Sequence, residues 1–361
     1  MEATALGLIA AGSALALDEG HCHVSRNLSA SAWDAYVAAH PLATGYHRSV
    51  WRGVFEGALG HETLYLAALR GAHVAGVLPL VAVKSWIFGS ALVSLPFLNY
   101  GGILSDDDQA AATLIEAARA AAAERHLRYV ELCHTHRVST SLAVRDHKVA
   151  MTLALPADET TLWKALNNKV RNQVRKAQKS GLDAVAGGAE LLDEFYDVFA
   201  RNMRDLGTPV FPRALFAHVL GDVDRTRAYV VRTGTTPIAA GITVTFRDTT
   251  ENIWASSLRE YRAQCPNMLL YWTMIEDAVR SGMRTFDFGR STPGEGTYHF
   301  KKQWGAAEAP FAWEYVFTGA VQLPSGSASA RVALATRMWT KLPLPVANAL
   351  GPAIARGCSF L

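Results

Sequence analysis

The chain has 361 residues, 50% of them apolar, and a formal net charge of +3. This length and composition exclude a disordered protein and suggest two domains, each around a sizeable core. The low net charge excludes a uniformly basic surface, so a partner that carries phosphate groups would have to bind a local patch.

Residues 1–20 contain an apolar run with two open interpretations, a flexible leader and a secretion signal. Glu2 precedes the run and no Lys or Arg does, so the basic start of a signal is missing and the leader is favoured. No later apolar span reaches the ~20 residues that cross a bilayer. The four cysteines are widely separated and include no CxxC pair, which indicates free thiols and a cytoplasmic location.

Residues 21–150 are predicted to form a first domain in which strands and helices alternate. From Asp106 to His126, acids open the span, alanines fill it, and Arg and His close it in agreement with the helix dipole, so a helix is predicted. Apolar and β-branched residues predict strands on either side of this helix, at "TLYLAALR", "HVAGVLPLVAV", "ALVSLPF" and "LRYVELCH".

Residues 151–320 are predicted to form a second domain that repeats this order. One long helix is expected from about Asp158 to Gly181, where the glycine ends it. Two further helices are expected at "ELLDEFYDVFARNMRDL" and "PNMLLYWTMIEDAVRSG", and strands at "VAMTLALP", "AYVVRTG", "PIAAGITVTF", "TENIWASSL" and "RTFDFG". The last helix-to-strand step matches that of the first domain and predicts two similar halves. Residues 321–361 are expected to be a helical tail interrupted by Pro and Gly.

The stretch "FDFGRSTPGEGTYHFKKQWGA", residues 286–306, is the first candidate site. It has neither the GK[ST] ending of a phosphate loop nor a GxGxxG dinucleotide fingerprint. On its strand, Phe286 and Phe288 face one side and Asp287 the other. Because burial of a lone carboxylate is costly, Asp287 is expected to pair with Arg290 or with backbone donors. A structural ion pair and a direct role in a site both stay open.

Aromatic residues bracket two lysines later in the same stretch: Tyr298, Phe300 and Trp304 surround Lys301 and Lys302. Such neighbours would keep one ammonium partly dry, where its charge acts more strongly on a developing oxyanion. The alternative, which the spacing alone favours, is a strand edge with solvated lysines.

The predicted helix from Asp158 to Gly181 combines an apolar stripe with a basic ridge on its opposite face. The apolar positions are Leu162, Leu166, Val170 and Val174, and the ridge positions are Arg171, Arg175 and Lys179. Since no acid interrupts the ridge, a polyanion would stabilise it. A solvated helix end that complements the helix dipole is the alternative. Phosphate contact rather than base readout is predicted, because no aromatic residues interleave with the ridge.

Two weaker patterns lie in the first half. Cys and His alternate in "HCHV" and "CHTHR", but no second ligand pair follows at a metal-site spacing, so no metal site is predicted. Asn99 and Tyr100 stand beside two glycines at a strand end, a position that suits ligand contact and an ordinary turn equally well.

Several dispersed spans resemble the FemAB family, specifically the FemAB-like proteins found with exosortase and exopolysaccharide loci. They are "WKALNNKVRNQVRKAQKSGL", "WASSLREYRAQCPNMLLYW" and "FDFGRSTPGEGTYHFKKQWGA", with "HPLATGYHRSVW" and "SLPFLNYGGIL" in the first half. The resemblance extends from about Trp33 to Phe317. It implies an α/β protein of two tandem GNAT-like domains, the acyl-CoA N-acyltransferase fold, with mixed sheets flanked by helices.

The resemblance also implies an active site. The Phe-Lys-x-x-aromatic-Gly motif of the family matches Phe300, Lys301, Trp304 and Gly305. The family lysine stabilises charge during acyl transfer, so Lys301 is expected to be catalytic, with Asp287 as acceptor of the amine proton. Backbone N–H groups near Ser256 and Ser257 are expected to bind the oxyanion as well. The residues expected to bind substrate are Asn99, Tyr100, Ser256, Ser257, Arg290, Ser291, Tyr298, Phe300 and Trp304, and those expected to bind phosphate are Arg171, Arg175 and Lys179.

FemAB relatives transfer an aminoacyl group from charged tRNA to an amine of a cell-wall precursor. The resemblance therefore implies an acyltransferase with a peptidoglycan or exopolysaccharide precursor as acceptor and no tightly bound cofactor. The sequence lacks the coiled-coil insertion of the best-known members, and it also lacks the CoA-loop pattern Q/RxxGxG/A. Aminoacyl-tRNA, acyl-CoA and acyl carrier protein all stay open as the donor.

Two further expectations concern partners. The alternative function is a non-catalytic module that binds a phosphate-bearing glycan carrier or RNA. In the tail, Arg331, Arg337 and Lys341 stand among apolar residues, an arrangement that suits contact with the inner face of the membrane. Docking of the tail onto the first domain is the alternative.

Overall fold

Two mixed β-sheets, each flanked by helices, make up the computed structural model, which describes residues 21–85, 89–319 and 330–358. The predicted leader lies outside the described residues. The strands of the first sheet are β1 (His23–Ser25), β2 (Glu62–Arg70), β3 (His73–Ser85), β4 (Gly89–Val93), β5 (Leu104–Ser105), β6 (Tyr129–His134), β7 (Ala143–Arg145) and β15 (Ala312–Phe317). Those of the second are β8 (Val149–Ala154), β9 (Leu182–Gly187), β10 (Thr226–Thr233), β11 (Thr236–Phe246), β12 (Thr249–Ser257), β13 (Thr285–Ser291) and β14 (Ala307–Ala309).

Helices pack on both sheets, and four of those between Ala30 and Gln303 are not predicted from the sequence. The helices of the first half are α1 (Ala30–Ala39), α2 (Val50–Leu59) and α3 (Asp108–Glu124). Those of the second half are α4 (Glu159–Ala165), α5 (Asn168–Lys179), α6 (Leu192–Asp205), α7 (Arg213–Asp222), α8 (Pro266–Arg280) and α9 (Gly296–Gln303). Those of the tail are α10 (Ala330–Trp339) and α11 (Leu344–Ala355).

Each sheet contains one parallel step. β4 runs parallel to β6 with α3 between them in sequence, and β12 runs parallel to β13 with α8 between them. Parallel neighbours need such a crossover, whereas antiparallel neighbours can be joined by a short turn, as β2 is to β3 and β10 to β11. The repeated strand–helix–strand order confirms the prediction of two similar halves, and the prediction of mixed sheets flanked by helices is confirmed as well.

The chain crosses between the sheets twice. It passes from β7 to β8, and it returns from β14 to β15, which inserts between β6 and β7 of the first sheet. In the second sheet, β8 takes the corresponding place beside β13. The domain limits at residues 150 and 320 stay predictions, but strand membership assigns residues 312–317 to the first sheet.

Aromatic side chains join the two halves. The ring of Phe97, from the first half, lies 5.0 Å from that of Phe211 in the second half. The ring of Phe216 in turn lies 4.9 Å from Phe195 and 5.0 Å from Trp254. Buried aromatic pairs each contribute about 0.5–1.5 kcal/mol beyond the area that they bury. The halves therefore pack directly against each other, and side chains of the first half reach the second sheet.

The prediction of a single helix from Asp158 to Gly181 is wrong, because the chain forms α4 and α5 there. Asn167 begins the second helix, and its side-chain oxygen accepts a hydrogen bond from the Val170 N–H at 2.9 Å. Asparagine is among the best N-cap residues, so it favours a new helix start over a continuous helix. The apolar stripe remains buried across the break. Gly181 follows the end of α5 with a φ of 73°, as predicted.

The tail docks mainly onto α6 and the loop that follows it, in the second half. Arg204 of α6 donates a hydrogen bond to the Leu342 carbonyl at 3.1 Å. A Cβ on Gly351 would lie 2.9 Å from the Val210 nitrogen, so glycine allows α11 to approach this closely. The first domain, which was the docking partner in the alternative interpretation of the tail, is thus not the main one.

Candidate active site

Two acidic residues face each other across the parallel step of the second sheet. Glu251 of β12 and Asp287 of β13 are register partners. Both are buried, with 6% and 7% of their surface exposed. Directly opposite residues on adjacent strands lie about 5 Å apart and point to the same side of the sheet. Two carboxyl groups can be buried this closely only if other groups satisfy them.

The first half supplies most of the hydrogen bonds to this pair. Glu251 Oε1 accepts from the Tyr46 hydroxyl at 2.7 Å and from Asn99 Nδ2 at 2.8 Å. Asp287 Oδ2 accepts from the Tyr100 hydroxyl at 2.8 Å. Its Oδ1 accepts from the Gly289 N–H at 2.7 Å, which confirms the predicted backbone donor. Asn99 and Tyr100 therefore belong to the hydrogen-bond network of the carboxyl pair, and their role as substrate contacts stays a prediction.

Gly289 makes room for one of these contacts. Its φ is 71°, in the left-handed region, and a Cβ there would lie 2.6 Å from Asn99 Nδ2. Any other residue would be strained in this conformation and would push away the amide that binds Glu251. The glycine therefore lets the first half reach the carboxyl pair.

Lys301 lies beside the pair on α9, with 7% of its surface exposed. Its Nζ donates hydrogen bonds to the carbonyls of Gly289 at 3.1 Å and Arg290 at 2.8 Å. Burial, partly opposed by the charge of Asp287, lowers the pKa of Lys301 to about 8. The alternative of a strand edge with solvated lysines is wrong for this residue. Lys302 is exposed and lies 3.4 Å from a Glu308 oxygen, but it too lies on α9 and not on a strand edge.

Burial raises the pKa of both carboxyl groups. For Asp287, Gly289, Tyr100 and Lys301 oppose the rise. For Glu251, the charge of Asp287 adds to the effect of burial and raises the pKa well above its usual value. Of the two groups, Glu251 is therefore the one that more strongly favours the protonated form.

Three predicted substrate residues of α9 have other neighbours. Phe300 and Trp304 pack around Tyr271, with ring centroids 4.8 Å and 6.4 Å away, and Trp304 is 2% exposed. The hydroxyl of Tyr298 donates to Glu308 Oε1 at 2.5 Å. Their roles as substrate contacts stay predictions, which this packing does not support for Trp304.

The predicted serines and Arg290 lie at the ends of two strands, β12 and β13. Ser256, whose Oγ accepts from Asn202 at 3.0 Å, and Ser257 end β12. They lie five and six residues beyond Glu251, which is roughly 16–20 Å along the strand. Ser291 is buried at the end of β13. The Arg290 guanidinium carbon lies 5.3 Å from the centroid of the Trp313 ring.

The basic ridge lies on α5, on the side opposite its buried residues. Arg175 and Lys179 are exposed, and Arg171 is partly exposed. The guanidinium of Arg175 lies 5.3 Å from the centroid of the Trp163 ring. Arg171 donates to the side chain of Asn168. The ridge is thus a surface feature, and its predicted contact with phosphate stays a prediction.

Sequence reasoning missed Glu251 and Tyr46. Glu251 is the one charged residue of its strand, TTENIWASS, which is a signal because buried strand positions are rarely occupied by an unpaired acid. Tyr46 carries no such signal, since its partner stands 205 residues away.

The residues that the structure describes include neither a metal-binding cluster nor a membrane-spanning helix. In residues 21–85, 89–319 and 330–358, no group of three or more His, Cys, Asp or Glu side chains is arranged to hold a metal ion. Over the same part of the chain, the helices are too short or too polar to span a membrane.

Residues 164–302 match the family model described as "Acetyltransferase (GNAT) domain". This span contains Glu251, Asp287 and Lys301. The second half is therefore similar to GNAT acetyltransferase domains. A search of the curated proteins finds no match to the chain.

Solved structures share the fold over most of the chain. The structure titled "Crystal structure of FemX" matches with a TM-score of 0.62 at 14% identity, over 82% of this chain and 98% of that one. The C-terminal domain (DUF2156) of a putative lysylphosphatidylglycerol synthetase from Agrobacterium fabrum matches with a TM-score of 0.53 at 11% identity, over 85% and 94%. A GCN5-related glucosamine N-acetyltransferase region of a fungal multi-domain GH3 β-N-acetylglucosaminidase matches with 0.51 at 12%, over 82% and 38%. These matches confirm the predicted fold class of two GNAT-like domains with mixed sheets flanked by helices.

Proposed function

We propose that this protein is an N-acyltransferase of the FemAB and GNAT type that transfers an aminoacyl or acyl group to an amine of a cell-envelope precursor. The observation that carries the proposal is a buried lysine, Lys301, beside the buried pair of Glu251 and Asp287. A cation beside a carboxyl group that favours its protonated form is what amide formation from an ester or thioester requires.

The first step is attack of the acceptor amine nitrogen on the donor carbonyl carbon. As the N–C bond forms, the carbonyl electrons move onto oxygen, and the ammonium of Lys301 stabilises the oxyanion. This interaction is stronger in a buried site than in water. Asp287, the charged member of the pair, accepts the proton that the nitrogen loses.

The second step is collapse of the tetrahedral intermediate. The bond from carbon to the leaving oxygen or sulfur breaks, and Glu251 donates its proton to the leaving atom. The proton held by Asp287 then passes to Glu251, which restores the starting state. Two acids with different pKa values thus serve as base and acid, as in other enzymes that use carboxyl pairs.

The donor is tested by offering all three candidates in parallel. Purified protein is incubated with aminoacyl-tRNA, acyl-CoA or acyl carrier protein, each with a lysine-containing peptide and an amino sugar as amine acceptors. Mass analysis is expected to show an acylated amine with one donor and about 10²-fold slower product formation in a Lys301→Ala control. Absence of product with every donor contradicts the proposal.

The exposed ridge of α5 supports a second candidate, a module that binds a phosphate-bearing glycan carrier or RNA. Replacing Arg171, Arg175 and Lys179 together by Ala is expected to weaken RNA binding and to flatten its salt dependence. Fluorescence anisotropy with labelled RNA and a turnover assay on the same variant separate the candidates. Lost binding with no turnover in the wild type favours the module, whereas reduced turnover assigns the ridge to the donor.

A cytoplasmic location is proposed as well, with peripheral membrane contact through the tail. On α10, Leu334 and Met338 are 60% and 64% exposed, and Arg337 is exposed beside them. An apolar strip flanked by cations suits an anionic lipid surface. Flotation with anionic vesicles is expected to fall when Leu334 and Met338 are both replaced by Gln. Equal flotation of the variant rules out contact through this strip.

A further inference from the structure

Three cationic or titratable side chains gather around one indole at the seam of the two sheets. Trp313 of β15 is 7% exposed. The Arg290 guanidinium carbon and the Lys148 ammonium lie 5.3 Å and 5.6 Å from the centroid of the Trp313 ring, and the centroid of the His147 ring lies 4.9 Å away. Arg145 continues the group at 5.8 Å from the ring of Tyr315. We call Arg145, Lys148 and Arg290 the seam cations.

The fold brings the seam cations together from both sheets. Arg145 ends β7 and pairs in register with Trp313 of the first sheet. Lys148 precedes β8 in the segment that crosses to the second sheet, where Arg290 pairs in register with Ala150. The Arg290 carbonyl accepts a hydrogen bond from Lys301. Arg290 and Lys148 therefore lie near the proposed catalytic lysine.

The seam cations repel one another. Burial, and next the charge of Arg290, lower the pKa of Lys148 to about 8. Burial and the charges of all three seam cations lower the pKa of His147. Arg290 and Lys148 also act on Lys301 in the same direction. A bound anion would relieve this repulsion.

A structural role explains only part of the group. Arg290 and Arg145 favour the charged form of the buried Glu131, so these two have a carboxylate to balance. Lys148 is not among the groups that lower the pKa of Glu131. The acid that favours the charged form of Lys148 is Glu295, which is exposed at the start of α9. Lys148 is partly buried, which is costly for a charged group, and Glu131 does not offset that cost. A structural ion cluster therefore explains the two arginines but not Lys148, which is the residue that indicates a binding site.

We propose that the seam cations bind a phosphate or diphosphate group of a substrate, next to Lys301. Two guanidinium groups offer forked pairs of donors that match phosphate oxygens, and the lysine adds a third positive charge. Because the site adjoins Lys301, the inference rests on the proposed function. It implies that the donor or the acceptor of the transferase carries a phosphate group. The binding itself can be measured whether or not acyl transfer occurs.

The test is isothermal titration of the full chain with inorganic pyrophosphate. Lys148→Gln and Arg145→Gln are each expected to weaken binding about tenfold, since each removes one of three contacts to a multivalent anion. Lys164→Gln on α4 and Arg119→Gln on α3 are matched controls on exposed positions and are expected to stay within about twofold. The proposal is overturned if Lys148→Gln binds pyrophosphate as tightly as the wild type. It is also overturned if binding is lost only in the variant whose α5 ridge is replaced.

A second measurement avoids variants that fail to fold. In the wild-type protein, pyrophosphate is expected to slow acetylation of Lys148 by an amine-reactive ester, read by peptide mass spectrometry, while the exposed Lys164 reacts at the same rate. Equal rates at Lys148 with and without pyrophosphate overturn the proposal. Coenzyme A and a nucleoside diphosphate, titrated separately, show whether the phosphate belongs to a donor or to an acceptor carrier. If pyrophosphate binds as expected but no donor gives product, the function fails and the site stands.

Discussion

The two parallel steps of the molecule bury an acid at the same register position but surround it differently. In the first sheet, Glu131 of β6 lies opposite Val93, and the Tyr315 hydroxyl favours its charged form. In the second sheet, Asp287 of β13 lies opposite Glu251. The segments that follow the two acids also differ: β6 is followed by a loop and then β7, whereas β13 is followed by α9.

This difference shows which features create the chemistry. A buried acid is common to both halves, so it belongs to the repeated fold. A second acid across the step and a lysine on the following helix occur in the second half. The first half instead contributes the tyrosine and asparagine donors that bind the carboxyl pair of the second half. We therefore expect substitutions in the second step to change turnover and those in the first step to change stability.

Lys301→Ala is expected to give the largest effect. Loss of the ammonium that stabilises the oxyanion should lower kcat/KM about 10²-fold, or about 2.7 kcal/mol. Lys302→Ala, one residue along α9 on its exposed side, is the matched control and should stay within about twofold. Steady-state kinetics and thermal melts of both variants make the measurement. A wild-type rate for Lys301→Ala removes this residue from the mechanism.

Glu251→Gln against Glu131→Gln tests the comparison directly. Glutamine keeps the oxygen that accepts from Tyr46 and Asn99 but cannot supply the acidic proton, so turnover should fall about tenfold with the fold intact. Glu131→Gln should leave turnover within about twofold, since no step uses that acid. The comparison breaks if the two variants lose turnover equally. Circular dichroism of both variants confirms that each is folded.

The elements could be predicted from the sequence because their signals are local. α3 has its acids, alanines and basic end within one span, and Lys301 and Asp287 stand in one short stretch. The break at Asn167 was missed because a cap inside an apolar stripe looks like a helix interior. The partners of the site are set by the packing of the halves, since 187 residues separate Tyr100 from Asp287. No spacing in the sequence encodes such a contact.

Tyr100→Phe and Tyr315→Phe sharpen the comparison at the level of hydroxyl groups. Each removes a hydroxyl near a buried carboxyl and should cost about 1–3 kcal/mol of the free energy of unfolding. Only Tyr100→Phe should also lower turnover, by about fivefold, because its loss raises the pKa of the proposed base. Urea melts and kinetics on both variants provide the two readouts. A turnover loss in Tyr315→Phe as large as in Tyr100→Phe contradicts the separation of roles.

The smallest expected effect is a shift in the pH profile. Lys301 must be protonated to stabilise the oxyanion, and its pKa is about 8, so log kcat/KM should fall as pH rises through about 8. Because the charge of Lys148 lowers this pKa, Lys148→Gln should move the falling limb to higher pH by less than about one unit.

Stability should show the opposite dependence on pH. The pKa of Lys301 lies below its ordinary value of 10.5, so the unfolded chain binds more protons between about pH 8 and 10.5, and the contribution of this lysine to the free energy of unfolding rises with pH over that range. Lys301→Met should abolish that contribution. A falling limb that stays in place in Lys148→Gln, together with an unchanged stability slope in Lys301→Met, would show that the ammonium is hydrated in solution and does not act in the buried site.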